Sequence, residues 1–122
     1  MILLDTNALI WFERGHPRSR ALARAAGRLA ISPASLLELQ FLEEVGRIRL
    51  RRGTLRAIAD DDRWILDEPP SAAWFLEAAT LGWTRDPFDR LLVAHAQVRG
   101  WRLATADAAL LTRLAPAATL EL

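Results

Sequence analysis

The sequence predicts a three-layer α/β fold with a parallel sheet between two layers of helices. Three observations carry that prediction. Apolar runs of strand length alternate along the chain with segments of helical pattern, as in a parallel sheet covered on both faces. Acidic or capping residues follow several of these runs: Asp5 after Met1 to Leu4, Pro33 to Glu38 after Leu29 to Ser32, and Asp107 after Trp101 to Thr105. Proline and glycine then fall where helices start and stop.

Taken in order, the first strand is Met1 to Leu4, because the run breaks at Asp5-Thr6-Asn7. These are residues suited to cap a helix over Thr6 to Glu13. A second helix spans Ser19 to Ala26 and stops at Gly27. Leu29 to Ser32 is the second strand. Ser32-Pro33 pairs an N-cap with proline at the first helical position, opening a helix that ends near Gly46. Thr54 to Ala59 is a short helix and Trp64 to Asp67 the third strand. Ser71 is expected to cap the helix from Ser71 to Leu81, with Gly82 behind it. Asp86-Pro87 repeats the cap-and-proline pattern and opens the helix to Arg99, which Gly100 terminates. Trp101 to Thr105, Ala108 to Leu114 and Ala118 to Glu121 complete the chain as strand, helix and strand. Crossovers between parallel strands are expected to be right-handed.

The length of 122 residues suits one domain, so residues 1–122 are expected to form a single unit. No repeat, low-complexity tract or linker divides it. An apolar fraction of 52% fills a core and excludes a disordered chain. The absence of cysteine excludes disulfides and thiolate metal sites. The apolar start is too short for a secretory signal. Leu91 to Val98, broken by His95 and Gln97, is too short to span a bilayer. A cytoplasmic protein without a membrane partner is the expectation. The net charge of +1 points to no partner class. All 16 basic residues are arginine, a side chain suited to planar contacts with phosphate. Genome composition accounts for that bias more simply.

The acids carry the functional content. Ligands of an open parallel sheet bind beyond the carboxyl ends of its strands, which is where Asp5 and Asp107 fall. Asp89 lies near the start of the helix over RLLVAHA. Singly, Asp5 and Asp107 read as helix caps, and Asp86 reads as a cap with Asp89 in the first turn. Glu38 resists such a reading. The helix has already begun at Pro33, so Glu38 falls past the first turn, and its helical neighbours Ala34, Phe41, Leu42 and Val45 are apolar. A carboxylate on such a stripe needs a cation. Glu43, by contrast, reads as a solvated charge paired with Arg47 one turn later. Together, acids gathered at one sheet edge would repel one another unless a metal ion joined them, and oxygen-only ligands suit Mg²⁺ or Mn²⁺. His16 and His95 are too far apart in sequence to suggest zinc, and His95 is expected simply to make a helix hydrogen bond. No glycine-rich phosphate loop follows the first strand.

The segments LLDTNALIW, ISPASLLEL, RDPFDRLLVAHA and LATAD, in this order and over nearly the whole chain, resemble the PIN-domain nucleases, most closely the VapC-type toxins of bacterial type II toxin–antitoxin pairs. The resemblance implies a PIN-like three-layer fold and a Mg²⁺- or Mn²⁺-dependent endoribonuclease. It places the acidic cluster on Asp5, Glu38, Asp89 and Asp107, with Asp5 and Asp89 as the main ligands. It makes Thr6 and Thr105 supporting residues, and it implies a cognate antitoxin and a homodimer. Related toxins often carry a basic residue shortly after the middle glutamate, where this chain has Leu42, so a substrate contact there is in doubt. Water activated by the metal would attack the phosphodiester phosphorus.

Arg47 to Arg52, followed by Arg56, is the densest basic stretch of the chain and could grip an RNA backbone, with Arg51 and Arg52 as possible RNA contacts; a solvated turn accounts for it equally well. The apolar residues of the first and third helices (Leu9, Ile10, Trp11 and Phe12; Leu36, Leu37, Leu39, Phe41, Leu42 and Val45) exceed what a small domain buries, so part of them is expected to meet another chain. Two alternatives stand beside the toxin. One is a catalytically silent PIN-like RNA-binding or scaffold domain. The other, a phosphotransfer or phosphatase domain, is disfavoured by Asn7, where a second acid would be wanted, and by the lack of lysine.

Overall fold

A computed structural model describes residues 1–122. Five parallel strands form one sheet in the order β3-β2-β1-β4-β5. They are β1 (Ile2–Leu4), β2 (Leu29–Ile31), β3 (Ile65–Leu66), β4 (Arg102–Thr105) and β5 (Thr119–Glu121). Seven α-helices join them: α1 (Thr6–Arg14), α2 (Arg20–Arg24), α3 (Pro33–Glu44), α4 (Thr54–Ala59), α5 (Ser71–Ala79), α6 (Pro87–Arg99) and α7 (Ala108–Arg113). The central strand β1 pairs with β2 through Ile2–Leu29 and with β4 through Leu3–Leu103 and Leu4–Ala104.

Alternation along the strands builds two cores. Ile2 and Leu4 of β1 point with Ile31 and Ala104 to the face covered by α1, α2, α3 and α4, where Leu9, Leu22, Leu39, Ile58 and Trp64 fill the layer. Leu3 and Leu103 point to the other face, against Trp74, Ala78, Leu92, Val93, Ala96 and Leu110 of α5, α6 and α7. α6 carries a long buried stripe, Leu92 to Ala96, and α5 packs along it, with the Trp74 indole donating to the Leu91 carbonyl (2.8 Å). Because β1 and β4 are adjacent and parallel, Asp5 and Asp107 come off the same edge of the sheet.

Most helix boundaries follow the local chemistry. Ser32 and Asp86 accept hydrogen bonds from the backbone at the starts of α3 and α6, with proline behind each. Gly100 closes α6 at φ 69°, a conformation glycine adopts without strain. Three expectations are corrected. Ser71 does not cap α5: the cap position is Pro70, and no side chain bonds there, because Ser71 is already helical. Gly82 lies outside the left-handed region, since α5 ends earlier, at Ala79. The second helix is shorter than expected: a 3-10 turn over Pro17–Ser19 leads into α2, which ends at Arg24, before Gly27. No helix is long and apolar enough to cross a membrane.

Candidate active site

The acids predicted from sequence converge. Asp5, Glu38, Asp89 and Asp107 line one pocket of about 210 Å³ beyond the carboxyl ends of β1 and β4, and Asp86 lines it too. Each side chain is placed by its own element. Asp5 caps α1, its Oδ1 accepting from the Ala8 N–H at 2.7 Å. Asp107 caps α7, accepting from the Leu110 N–H at 3.0 Å. Asp86 caps α6, accepting from the N–H groups of Phe88 (2.8 Å) and Asp89 (3.3 Å). Asp89 sits in the first turn of α6, and no protein group donates to its carboxylate. Cap and site are thus one arrangement for Asp5 and Asp107: the cap fixes the carboxylate, and the strand end aims it into the pocket.

Two threonines, Thr6 and Thr105, contact these carboxylates. Thr6, buried at the start of α1, hydrogen-bonds the buried Ser35 hydroxyl (3.0 Å) and donates to Glu38. Glu38 is thereby tied across from α3 to α1. It is half-buried rather than enclosed by an apolar stripe, since Phe41 and Val45 turn outward to solvent. The Thr105 hydroxyl lies against Asp5 and favours its charged form, and it accepts from the Asp107 N–H (3.0 Å). One hydroxyl thus couples the ends of β1 and β4.

Proton affinities record the crowding. Burial pushes Asp5 above the ordinary carboxylate range, against the bonds from Thr105 and Ala8. Burial raises Glu38 as well, opposed by Thr6 and reinforced by the charges of Asp86 and Asp5. Asp89 is pushed up to about 7, first by burial, then by Asp86, Asp107, Glu38 and Asp5. A carboxyl group without a donor of its own, surrounded by four other acids, gains most from an added positive charge. No three of the carboxylates are gathered tightly enough to form a closed ligand set. Their caps and the threonine contacts hold them around the pocket wall. The donors are all oxygen, so the group they fit is a hard divalent cation rather than zinc.

Three further residues complete the pocket. Asn7 and Asp86 join its wall, and so does Arg47, the one cation there. Arg47 does not pair with Glu43 as expected. α3 stops at Glu44, Gly46 turns the chain at φ 80°, and the Arg47 N–H returns to the Leu42 carbonyl (2.9 Å). Glu43 instead accepts from the Leu50 N–H. The glycine two residues past the helix was the available signal, since this form of helix stop folds the next residue back over the last turn. Arg51 and Arg52 lie in the exposed turn before α4 and do not line the acidic pocket.

Comparison with known proteins gives a consistent result. The family model described as PIN domain matches residues 2–115. Ribonuclease VapC22 of Mycobacterium tuberculosis is 34% identical over 113 residues, covering 87% of this chain and 86% of that protein. Among solved structures, a toxin–antitoxin complex from Klebsiella pneumoniae superposes with a TM-score of 0.71 at 18% identity, covering 98% of this chain and 96% of that one. VapBC-1 from nontypeable Haemophilus influenzae gives 0.69 at 20% identity, with 99% and 98% covered. These two structures bear on the fold, whereas the family match and the 34% relative bear on descent. On that basis the chain belongs to the PIN-domain family, with a VapC ribonuclease among its relatives.

Proposed function

We propose that the chain is a Mg²⁺- or Mn²⁺-dependent endoribonuclease, the toxin of a toxin–antitoxin pair, working in the cytoplasm as a single catalytic domain over residues 1–122. The observation that carries this reading is the convergence of Asp5, Glu38, Asp89 and Asp107 on one pocket at the carboxyl edge of the sheet. The 34% identity to a VapC ribonuclease supports the substrate class. Asp5 and Asp89 would hold the cation, with Glu38 and Asp107 at its flanks. A divalent ion bound there would acidify a water molecule and neutralise charge on the phosphoryl oxygens. The protein's own part is positional. Thr6 and Thr105 hold Glu38 and Asp5 in place, and Arg47, on the same wall, offers a phosphate the only positive side chain in the pocket.

The structural relatives are toxin–antitoxin and VapBC complexes, and this supports an antitoxin as partner. A second copy of the chain is the other proposed partner. Leu37 and Phe41 of α3, Val45 just after it, and Phe75 and Leu76 of α5 are all exposed, apolar side chains that a second copy could cover. A gel-filtration mass near that of one chain would count against the dimer.

The decisive experiment is RNA cleavage with and without divalent metal. Wild-type protein should cleave in Mg²⁺ or Mn²⁺ and stop in EDTA. Asp5→Asn should bind RNA without cutting it. Undiminished cutting by Asp5→Asn would overturn the site, and cutting in EDTA would overturn the metal. RNA binding by wild type with no cleavage in either metal would select the silent domain instead.

A further inference from the structure

The acidic pocket does not end at Asp89 and Asp107. Both residues also line a broader trough of about 670 Å³ that Glu38 does not line, walled by Trp83, Thr84, Thr112 and Arg113. The Arg113 guanidinium lies over the Trp83 indole, with its Cζ 5.5 Å from the ring centroid. Arg113 is exposed, ends α7 and forms no ion pair, so its planar cation is supported from beneath by the indole and bound by no acid. The Trp83 side of the trough is fixed in place. Arg90 Nε donates to the Thr84 carbonyl (2.8 Å), the Asp86 N–H donates to the Thr84 hydroxyl (3.3 Å), and the Trp83 ring packs on the α5–α6–α7 core.

We propose that this trough is a nucleobase subsite, in which a base flanking the scissile phosphate of single-stranded RNA stacks on the Arg113–Trp83 pair. The inference rests on the ribonuclease reading and extends it to the substrate. Asp89 and Asp107 at the junction repel a second phosphate but tolerate a neutral base. A guanidinium plane or an aromatic ring is the surface on which unpaired bases stack. The hydroxyls near the base are partly engaged: Thr112 donates to the Ala108 carbonyl (2.8 Å) and keeps acceptor capacity, and Thr84 accepts from the Asp86 N–H and keeps its own donor. The Arg113–Trp83 pair reads the face of a base, which all four bases present, so stacking there does not by itself select among them.

The test measures binding, not turnover. A short, fluorescently labelled single-stranded RNA of mixed sequence is titrated with metal-free protein, alongside the same strand with its bases removed. Arg113→Ala and Arg113→Lys are compared with wild type. Stacking predicts that Arg113→Ala weakens binding of the intact strand roughly tenfold, within the range for one stacked base. Arg113→Lys should recover only part of that loss, and both variants should bind the abasic strand nearly as wild type does. If Arg113→Lys binds the intact strand like wild type, or the abasic strand suffers the same loss, Arg113 is a phosphate contact and the subsite falls. Unchanged affinity in Arg113→Ala also removes it. Wild-type protein that neither binds nor cleaves RNA would overturn the ribonuclease reading itself, a distinguishable result.

Discussion

At the scale of single residues, the site stores unfavourable charge. Asp89 titrates at about 7 in the folded protein but near 4 in an unfolded chain. Between those values the folded state holds a proton that the unfolded state has released. Its contribution to stability is therefore complete below about pH 4 and is lost as pH rises towards 7. At pH 8 without metal the carboxylate works against the fold. Asp89→Asn should abolish cleavage yet stabilise metal-free protein at pH 8 by about 1 kcal/mol, after discounting for its partial solvent exposure. That is a rise of roughly 4 °C in melting temperature, and the gain should vanish near pH 4. A melting temperature that falls at pH 8 would show that Asp89 is not under charge strain. Arg47 is the opposite case, one cation on an anionic wall. Arg47→Ala should raise KM with little change in kcat and reduce the salt slope of RNA binding by about one. An unchanged slope would place Arg47 off the path of the substrate.

At the scale of elements, the site depends on α1 and α3 being locked to each other, and the lock is Thr6. Its hydroxyl meets Ser35 and Glu38, 29 and 32 residues later in the chain. Thr6→Val is nearly isosteric but leaves the buried Ser35 hydroxyl without that partner, which should cost about 1–3 kcal/mol. It also removes the bond favouring ionised Glu38, so the alkaline shift of Glu38 should grow and the acidic limb of the pH–rate profile should move upward. Thr6→Ser should restore both, and a profile unmoved in Thr6→Val would detach Thr6 from the chemistry. Such locks mark the boundary of what the sequence could reveal. Caps at Asp5, Ser32, Asp86 and Asp107 were legible because a cap is local: the acceptor lies within three residues of the N–H it serves. α6 was predicted end to end for the same reason, with Asp86-Pro87 before it and Gly100 behind. Arg47 does not follow the helical register of Glu43, because the helix has already stopped at Glu44. Thr6–Ser35–Glu38 was not visible as a unit, since only the docking of one helix on another brings the three together.

At the scale of the whole molecule, the parallel sheet and its two-sided burial were implicit in the alternation of elements, yet the strand order and the tie between the β3 edge and the α5–α6 layer were not. Asp67 follows β3 and meets α6 twice. His95 Nε2 lies 2.7 Å from its Oδ2, and Arg99 Nε and Nη2 lie 2.9 and 3.1 Å from its two oxygens. From sequence alone His95 shows only a generic hydrogen bond, because its partner is 28 residues distant. The imidazole is fully buried beside Trp74 and Trp101, and its Nδ1 has no partner. Burial lowers the His95 pKa despite the neighbouring Asp67, so the ring is neutral at pH 7 and donates from Nε2. Burial would raise Asp67, but the bonds from Arg99 and His95 outweigh it and hold the carboxyl low. For His95 the unfolded chain takes up a proton near pH 6.5 and the folded chain only at lower pH. The stability this histidine confers is thus whole above about pH 6.5 and is lost as pH falls through its depressed folded value. The acidic pocket changes stability in the opposite sense over part of the same range, so the pH dependence of wild type alone mixes the two. A difference measurement separates them. His95→Gln should be less stable than wild type by about 1–3 kcal/mol at pH 7.5, and the gap should narrow as pH falls from 7 to about 5, because only wild type loses this contribution. Denaturant titrations of both proteins across that range check it. A constant gap would mean that His95 holds the β3 end to α6 by shape alone, without a proton-linked component.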